Sequence, residues 1–221
     1  MAKESRYQSA WRLLSQLLPG LIYGFFVRPQ ILRWGTRLGE SQRRLPGDER
    51  IVAPTVVATR AINIDAPPEA VWPWLAQMGR ERTGWYSFDL LDNNGIPSAT
   101  YIRKDLNAPE PGTLLDNGLR VLEVIPNRQL LIGASDVPLP FGTAMDVTAL
   151  YLLERMSDGS TRLLVRTRAH LHGRLGRVLG LLLEPLDFVM GVRQLQGLKV
   201  RSESMAYLKI QPPVQHEISL N

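Results

Sequence analysis

The chain has 221 residues, of which 44% are hydrophobic and 21% charged, a composition typical of a globular protein. It contains no cysteine, which excludes disulfides, thiolate metal sites and cysteine nucleophiles. The net charge of +5 lies in residues 1–50, where nine Lys and Arg accompany four Asp and Glu, whereas residues 51–221 carry seventeen of each. Because a nucleic-acid-binding domain usually has a basic face, the neutral main part indicates no nucleic-acid partner.

Residues 1–50 form a basic, apolar extension that ends at a turn over residues 45–48. The uncharged stretch at residues 13–27 is shorter than a membrane span and contains Pro19-Gly20, which interrupt a helix. Three interpretations stay open: helices packed on the main part, an anchor at a membrane surface through residues 1–37, or a true span or secretion signal. Aromatic residues and basic flanks favour a membrane surface, and the predicted location is the cytoplasm, including the inner face of the membrane.

A strand and a helix are predicted next. Residues 56–64 are rich in β-branched side chains, which favour a strand. Pro67, Pro68 and Glu69 are typical of a helix start, because proline fits the first helical position and the acid suits the helix dipole. Gly79 is the predicted stop. Apolar residues repeat at helical spacing between these limits and predict a stripe facing the core, formed by Val71, Trp74, Leu75 and Met78.

The stretch that follows holds the candidate polar site. Residues 85–91 predict a short second helix, on which Trp85, Asp89 and Asn93 share one face. This face is a candidate pocket mouth, with Asp89 and Tyr86 as acid and base groups. The alternative is a solvated helix face with the aromatic rings packed beneath it. A useful base needs partial burial to raise its pKa, which the sequence does not show.

Four further strands are predicted over residues 120–125, 129–134, 143–154 and 161–170, and a hairpin turn at residues 157–159 joins the last two. Side chains alternate along a strand, which places Met145, Val147, Ala149, Tyr151 and Leu153 on one face. In the partner strand, Arg162, Arg166, Arg168 and His170 face the other way, and we expect them to point to solvent. With the opposite facing, Arg166 and Arg168 would meet an acidic group of a ligand.

The last element is a long helix. Residues 175–183 are apolar, Glu184-Pro185 predicts a restart, and a stripe of Phe188, Val192, Leu195, Leu198 and Met205 continues to about residue 208. A tail at residues 211–221 follows Pro212. The order of elements predicts an α+β domain over residues 51–210, with the helix laid across a curved antiparallel sheet. A cavity between sheet and helix is geometrically natural.

These segments resemble a known superfamily. INIDAPPEAVWPWLAQMG, RERTGWYSFDLLDNNG, DGSTRLLVRTR and EPLDFVMGVRQLQGLK together are similar to the SRPBCC superfamily, and within it to the polyketide cyclase/dehydrase-like and lipid-transport-like members. The resemblance covers residues 34–205. It implies the helix-grip (START-like, birch-pollen-allergen-like) fold and a deep pocket for a hydrophobic small molecule, and only some members are enzymes.

The resemblance also implies pocket walls. They would be Met145, Val147, Ala149 and Tyr151 from the sheet and Phe188, Val192 and Leu195 from the helix, with Trp85, Tyr86, Asp89 and Asn93 near the mouth. This branch often has a bulky aromatic residue where Ala149 stands, so the pocket would be roomier here.

Metal and nucleotide sites are not expected. His170 and His172 share a strand face, but a zinc site needs further ligands, and the remaining histidine is His216 in the tail. No Gly-x-Ser-x-Gly elbow, Walker loop or dinucleotide glycine motif is present. The leading hypothesis is therefore a cofactor-free protein that binds a hydrophobic small molecule, a lipid, isoprenoid or polyketide-like compound. The alternatives are a cyclase or dehydratase and a membrane-associated accessory protein.

Overall fold

The computed structural model describes residues 18, 20 and 22–210, and its central element is one antiparallel sheet. Six strands lie in the order β1-β6-β5-β4-β3-β2. Their bounds are β1 (Val56–Ile64), β2 (Leu114–Asp116), β3 (Leu119–Ile125), β4 (Gln129–Leu139), β5 (Thr143–Arg155) and β6 (Thr161–His172). The register shifts in β3 between Val121 and Glu123 and in β4 between Ala134 and Val137. Such irregularities increase the local twist and help the sheet curve.

Four α-helices accompany the sheet in the described residues. They are α1 (Arg28–Leu32), α2 (Pro68–Gln77), α3 (Asp89–Asp92) and α4 (Gly176–Ile210), and a π-helical turn at Tyr23–Val27 leads into α1. The π turn ends two residues before Pro29, which has no N–H to continue an α-helical ladder. The predicted helix α2 is confirmed: it begins at Pro68 and ends just before Gly79, whose φ of +129° suits glycine.

Helix α4 packs across the concave face of the sheet. Its C-terminal half and α2 form a solid core in which Ile64, Trp74, Leu163, Leu195 and Leu198 are buried together. The predicted restart at Glu184-Pro185 is wrong, because α4 runs through Pro185 as one helix of 35 residues. Pro185 lies about two and a half turns after the helix start. The packing of the helix on the sheet outweighs the loss of the one backbone hydrogen bond that proline cannot donate.

The convex face of the sheet is also covered, by residues 35–51. Leu45 packs there against Ala61, Leu131, Leu150 and Leu164. The expectation that the arginines of β6 point to solvent is wrong, although they do face away from the concave side, where Val165 and Thr167 line the polar chamber. Within this cover, Arg162 and Arg166 are 4% exposed.

A buried arginine is tolerated only when its N–H groups donate hydrogen bonds, and most of the acceptors here belong to the N-terminal extension. Arg166 donates five hydrogen bonds, to the Thr59 hydroxyl, the Asp48 carboxylate and the backbone carbonyls of Glu40, Ser41 and Arg43. Arg162 pairs with Glu40 in a bidentate contact, with distances of 2.9 and 2.6 Å. Arg162 and Arg166 therefore attach the N-terminal extension to the convex face of the sheet.

The extension reaches the convex face by crossing the edge of β1. Ile31 and Trp34 lie on the concave side, where Trp34 packs against the main core. The carbonyl of Trp34 accepts a 3.0 Å hydrogen bond from Ala61 of β1. A Cβ on Gly35 would lie 2.0 Å from the Ala61 carbonyl oxygen, so only glycine fits this crossing. Ile31, Trp34 and Leu45 thus attach the extension to the sheet, and the domain boundary near residue 50 stays a prediction.

The architecture is the helix-grip α+β fold that the sequence resemblance implies: a curved antiparallel sheet wrapped around a long C-terminal helix. Among the described residues, no helix is long and apolar enough to cross a membrane. Most of residues 1–21 and the tail at 211–221, with His216, lie outside the described part of the chain.

Candidate functional site

Two adjoining chambers lie between the concave face of the sheet and α4. The polar chamber, about 330 Å³, lies under residues 187–195 of α4, and the apolar chamber, about 310 Å³, lies under residues 180–190. Both volumes are at the lower end of the range of small-molecule sites. The chambers share four lining residues, Val147, Thr167, Asp187 and Met190. The space between the sheet and α4 is therefore filled by side chains under the second half of the helix and open under the first half.

The sheet residues that the family resemblance implies as pocket walls do border the chambers. Val147, Ala149 and Tyr151 line the polar chamber, and Met145 and Val147 line the apolar chamber. Beside them on the same sheet, Ala58 of β1 and Ala169 of β6 keep the apolar chamber wide, because their side chains are short. Ala149 lies at the floor of the polar chamber next to Thr167 of β6, so the small residue noted in the sequence does border open space.

The helix presents a different face from the one predicted. Leu195 lines the polar chamber, but Phe188 and Val192 line neither chamber. Besides Leu195, the residues of α4 that line the space are Gly180, Leu183, Glu184, Leu186, Asp187, Met190, Gly191 and Gln194. The inward face of the continuous helix runs through Leu183, Asp187 and Gly191, one turn apart, and Phe188 and Val192 lie beside it.

A chain of hydrogen bonds crosses the polar chamber from sheet to loop. The Tyr151 hydroxyl donates to Oε1 of Gln194 at 2.8 Å, and Nε2 of Gln194 donates to the Trp85 carbonyl at 3.1 Å. Ser87 donates to the Met190 carbonyl at 2.9 Å. Burial raises the pKa of Tyr151, so its hydroxyl keeps its proton over the physiological range. These bonds hold the loop at residues 85–87 against α4.

Two carboxylates line the same chamber with one oxygen each unused. Oδ1 of Asp92 and Oδ1 of Asp116 are buried and have no hydrogen-bond partner among the described residues. Asp92 is 9% exposed, and burial, followed by the nearby Asp89 carboxylate, raises its pKa. Asp116 is held through its other oxygen by Arg80 at 3.3 Å. Buried polar atoms are normally paired, so these two are candidates for contact with a ligand.

An ion pair lies where the two chambers meet. Arg60 projects from β1 into the polar chamber, and its guanidinium contacts Asp187 at 2.7 Å and the Ile31 carbonyl at 3.2 Å. A Cβ on Gly191 would lie 2.8 Å from a guanidinium nitrogen of Arg60, so α4 leaves room for this side chain. Asp187 lines both chambers and is half exposed, which indicates that the space opens to solvent beside it.

The predicted helix at residues 85–91 is wrong. Tyr86 has a φ of +60°, and the helical turn α3 begins only at Asp89. The Tyr86 hydroxyl is 2.9 Å from the Thr83 hydroxyl, and it also contacts Gln77 and the Trp74 carbonyl. Tyr86 is thus buried in the scaffold, where it lines neither chamber.

Asp89 and Asn93 also lie outside the chamber walls. The Asp89 carboxylate accepts hydrogen bonds from the backbone and hydroxyl of Ser98, and the Asn93 amide donates to the Ile96 carbonyl. Both contacts close the loop at residues 89–98. Of the four predicted mouth residues only Trp85 lines a chamber, while Ser87, Asp92 and Asp116 were not predicted. The acid-base roles assigned to Asp89 and Tyr86 stay predictions without a contact to the cavity.

The two histidines of β6 lie side by side on the convex face, with ring centroids 4.6 Å apart. His172 contacts Asp146 at 2.8 Å and His170 contacts the Ala53 carbonyl at 2.7 Å. Within residues 22–210 no group of three or more His, Asp or Glu side chains is placed to hold a metal ion.

Comparisons with known proteins found solved structures only. No family model and no curated protein matches the chain. Solved structures of a protein from Mesorhizobium loti and one from Nitrosomonas europaea each match at 16% identity and a TM-score of 0.41, over 68% of this chain and 96% of theirs. The di-domain ARO/CYC BexL from the BE-7585A biosynthetic pathway matches at 17% identity and a TM-score of 0.40, over 72% of this chain and 52% of that one. At these levels the matches assign no ligand and no reaction to this chain.

Proposed function

We propose that the protein binds a hydrophobic small molecule, such as a lipid, isoprenoid or polyketide-like compound, in the two chambers. The observation that carries the proposal is open space lined by apolar side chains inside a folded core. Protein interiors are normally packed to crystal-like density, so a space of this size has a stability cost that a ligand would offset. The apolar chamber suits a hydrocarbon body, because Ala58, Met145, Leu171 and Leu183 surround it.

The polar chamber supports a ligand with a polar end. Asp92 and Asp116 offer unused acceptor oxygens there, while Arg60 is already paired with Asp187. An acceptor-only carboxylate binds a donor group, so a hydroxyl or amine at one end of an apolar molecule fits better than a carboxylate. The ligand class is therefore an amphipathic molecule with a donor at its polar end.

The test is a fluorescence titration of the full chain with N-phenyl-1-naphthylamine, an uncharged apolar dye. We expect saturable binding that Ala149→Phe weakens at least tenfold, because the new ring enters the polar chamber. Leu90→Phe is the control, since Leu90 is 82% exposed. Native mass spectrometry of the purified wild type supplies a second measurement, as a retained apolar compound. Absence of saturable dye binding, or unchanged affinity in a folded Ala149→Phe protein, would contradict the proposal.

A second candidate function is a cofactor-independent cyclase or dehydratase, as the sequence resemblance allows. The observation that favours it is the position of Asp92 in the wall of the polar chamber, where burial raises the pKa of its carboxyl group. A carboxyl group poised nearer to neutral pH can accept and return a proton within a water-poor cavity. Asp92 is better placed for this role than Asp89.

The compound that native mass spectrometry finds retained by the wild type, together with its analogues, serves as the substrate for testing this second function. Incubation with wild type should convert such a compound to a cyclised or dehydrated product, detected by liquid chromatography and mass spectrometry. Asp92→Asn should abolish the conversion while the dye affinity stays within about twofold of wild type. Equal conversion by Asp92→Asn and wild type would remove Asp92 from the reaction.

A further inference from the structure

One surface of the molecule exposes an unusual number of large apolar side chains. On the turn before α1, Phe25 is 74% exposed and Phe26 is 72% exposed, and on the first half of α4, Leu182 is 70% exposed. The two segments are neighbours, because Tyr23 and Arg28 both contact Glu184 of α4. We call this surface the docking face; its further exposed members are Ile22, Val27, Leu175, Val178, Leu181, Leu186 and Val189.

A basic groove of about 810 Å³ borders the docking face. It lies between α1, the start of α4 and the end of β6, and its lining includes Arg28, Arg174, Arg177 and His170. The acid in the groove is Glu184, and both of its oxygens accept 2.8 Å hydrogen bonds from Arg28. Within residues 22–210, Arg174 and Arg177 form no ion pair or hydrogen bond. The groove therefore presents two uncommitted positive charges beside exposed hydrocarbon.

The same helix segment also forms a wall of the apolar chamber. Leu181 and Leu182 face outward, whereas Gly180 and Leu183 face the chamber. Val56, Leu171 and Glu184 line both the basic groove and the apolar chamber. Only one layer of helix thus separates the docking face from the proposed ligand space.

We propose that the docking face binds the surface of an anionic lipid bilayer, with the basic groove taking a lipid phosphate. Exposed aromatic and aliphatic side chains insert at the boundary between headgroups and acyl chains, and neighbouring arginines strengthen such binding on anionic lipid. Charge complementarity selects this occupant, because residues 22–39 and 174–193 contain six arginines and only two acids, both paired with arginine. The sequence alone pointed to residues 1–37; the structure adds the first half of α4.

The test is flotation of the full chain with vesicles of phosphatidylcholine and phosphatidylglycerol, compared with vesicles of phosphatidylcholine alone. Wild type should float with the anionic vesicles and at least tenfold less with the neutral ones, and high salt should weaken the binding. Phe25→Ser with Phe26→Ser should lower the vesicle affinity at least tenfold. Arg174→Glu with Arg177→Glu should lower it on anionic vesicles and leave neutral vesicles unaffected.

The matched control is Val200→Ser on the same helix. Val200 is 62% exposed and lies about 27 Å from Leu182 along α4 at 1.5 Å per residue. The Val200→Ser protein should therefore float like wild type. Dye binding by the double variants should equal that of wild type, which shows that they fold. Failure of wild type to float, or flotation of the double variants like wild type, would overturn the proposal. So would a concentration-dependent dimer in sedimentation velocity that forms without vesicles and is lost in the phenylalanine variant.

Discussion

The convex and concave faces of the sheet differ in how completely their polar groups are used. On the convex face, Arg166 uses all five of its N–H donors on the extension and on Thr59. On the concave face, Asp92 and Asp116 each retain an unpaired buried oxygen beside an open chamber. A satisfied network fixes one structure, whereas unpaired groups beside space leave interactions available to a ligand. The convex face therefore attaches the extension through satisfied hydrogen bonds, whereas the concave side offers a candidate ligand site.

The largest effect should come from breaking the convex network. Arg166→Met removes one of the donors to the Asp48 carboxylate and leaves three buried carbonyls without the guanidinium that they accept from, and we expect the unfolding free energy to fall by about 3–5 kcal/mol. Arg155→Met is the control, because Arg155 and its partner Glu69 are each about half exposed, and it should cost less than about 1 kcal/mol. Urea unfolding of the full chain measures both. Equal costs would mean that the buried network adds nothing beyond a surface pair.

A smaller effect should distinguish the closed and open parts of the concave face. A Cβ at Gly197 would lie 2.2 Å from the Tyr86 carbonyl oxygen, so Gly197→Ala should destabilise by about 1–3 kcal/mol. A Cβ at Gly180 meets only ordinary 3.5 Å contacts beside the apolar chamber, so Gly180→Ala should stabilise by about 0.5–1 kcal/mol. Thermal and urea unfolding measure whether each variant is less or more stable than wild type. Loss of stability in Gly180→Ala would argue against an open apolar chamber.

The smallest effects concern pH, and they should have opposite signs on the two faces. Burial alone would raise the pKa of Glu40, but hydrogen bonds from Arg162 and the Arg37 backbone outweigh it and hold that pKa below its ordinary value. Ionised Glu40 therefore adds stability that is lost as the pH falls through its lowered pKa. Burial and the Asp89 carboxylate raise the pKa of Asp92 in the folded chain. The folded chain therefore holds the Asp92 proton more tightly than the unfolded chain does, and the stability that this adds is lost as the pH rises through the raised pKa.

Urea unfolding between about pH 3 and pH 8 checks these two slopes. Glu40→Gln should flatten the loss of stability on the acid side, and Asp92→Asn should flatten the loss as the pH rises. The same slope in Asp92→Asn and wild type would mean that Asp92 titrates alike in the folded and unfolded chains. The two variants thus test whether the faces differ in electrostatics as well as in packing.

Local patterns predicted the parts of the site that depend on short-range geometry. Val147, Ala149 and Tyr151 were placed correctly on the concave face, because strand alternation is set by the backbone itself. The start of α2 at Pro68 followed from the chemistry of a single residue. Phe188 and Val192 were carried over from the family resemblance, and they lie beside the inward face of α4 rather than on it.

The sequence by itself determined the α+β class, five of the six strands and the inward face of β5, since these follow from local propensity and periodicity. It missed β2, which has only three residues. Only the tertiary structure decided what covers the convex face, because the partners of Arg166 lie about 120 residues earlier in the chain. It also decided which carboxylates reach the cavity: Asp92 and Asp116 come together through loop packing that has no periodic signal. Burial, which gives these groups their chemistry, is a property of the assembled fold.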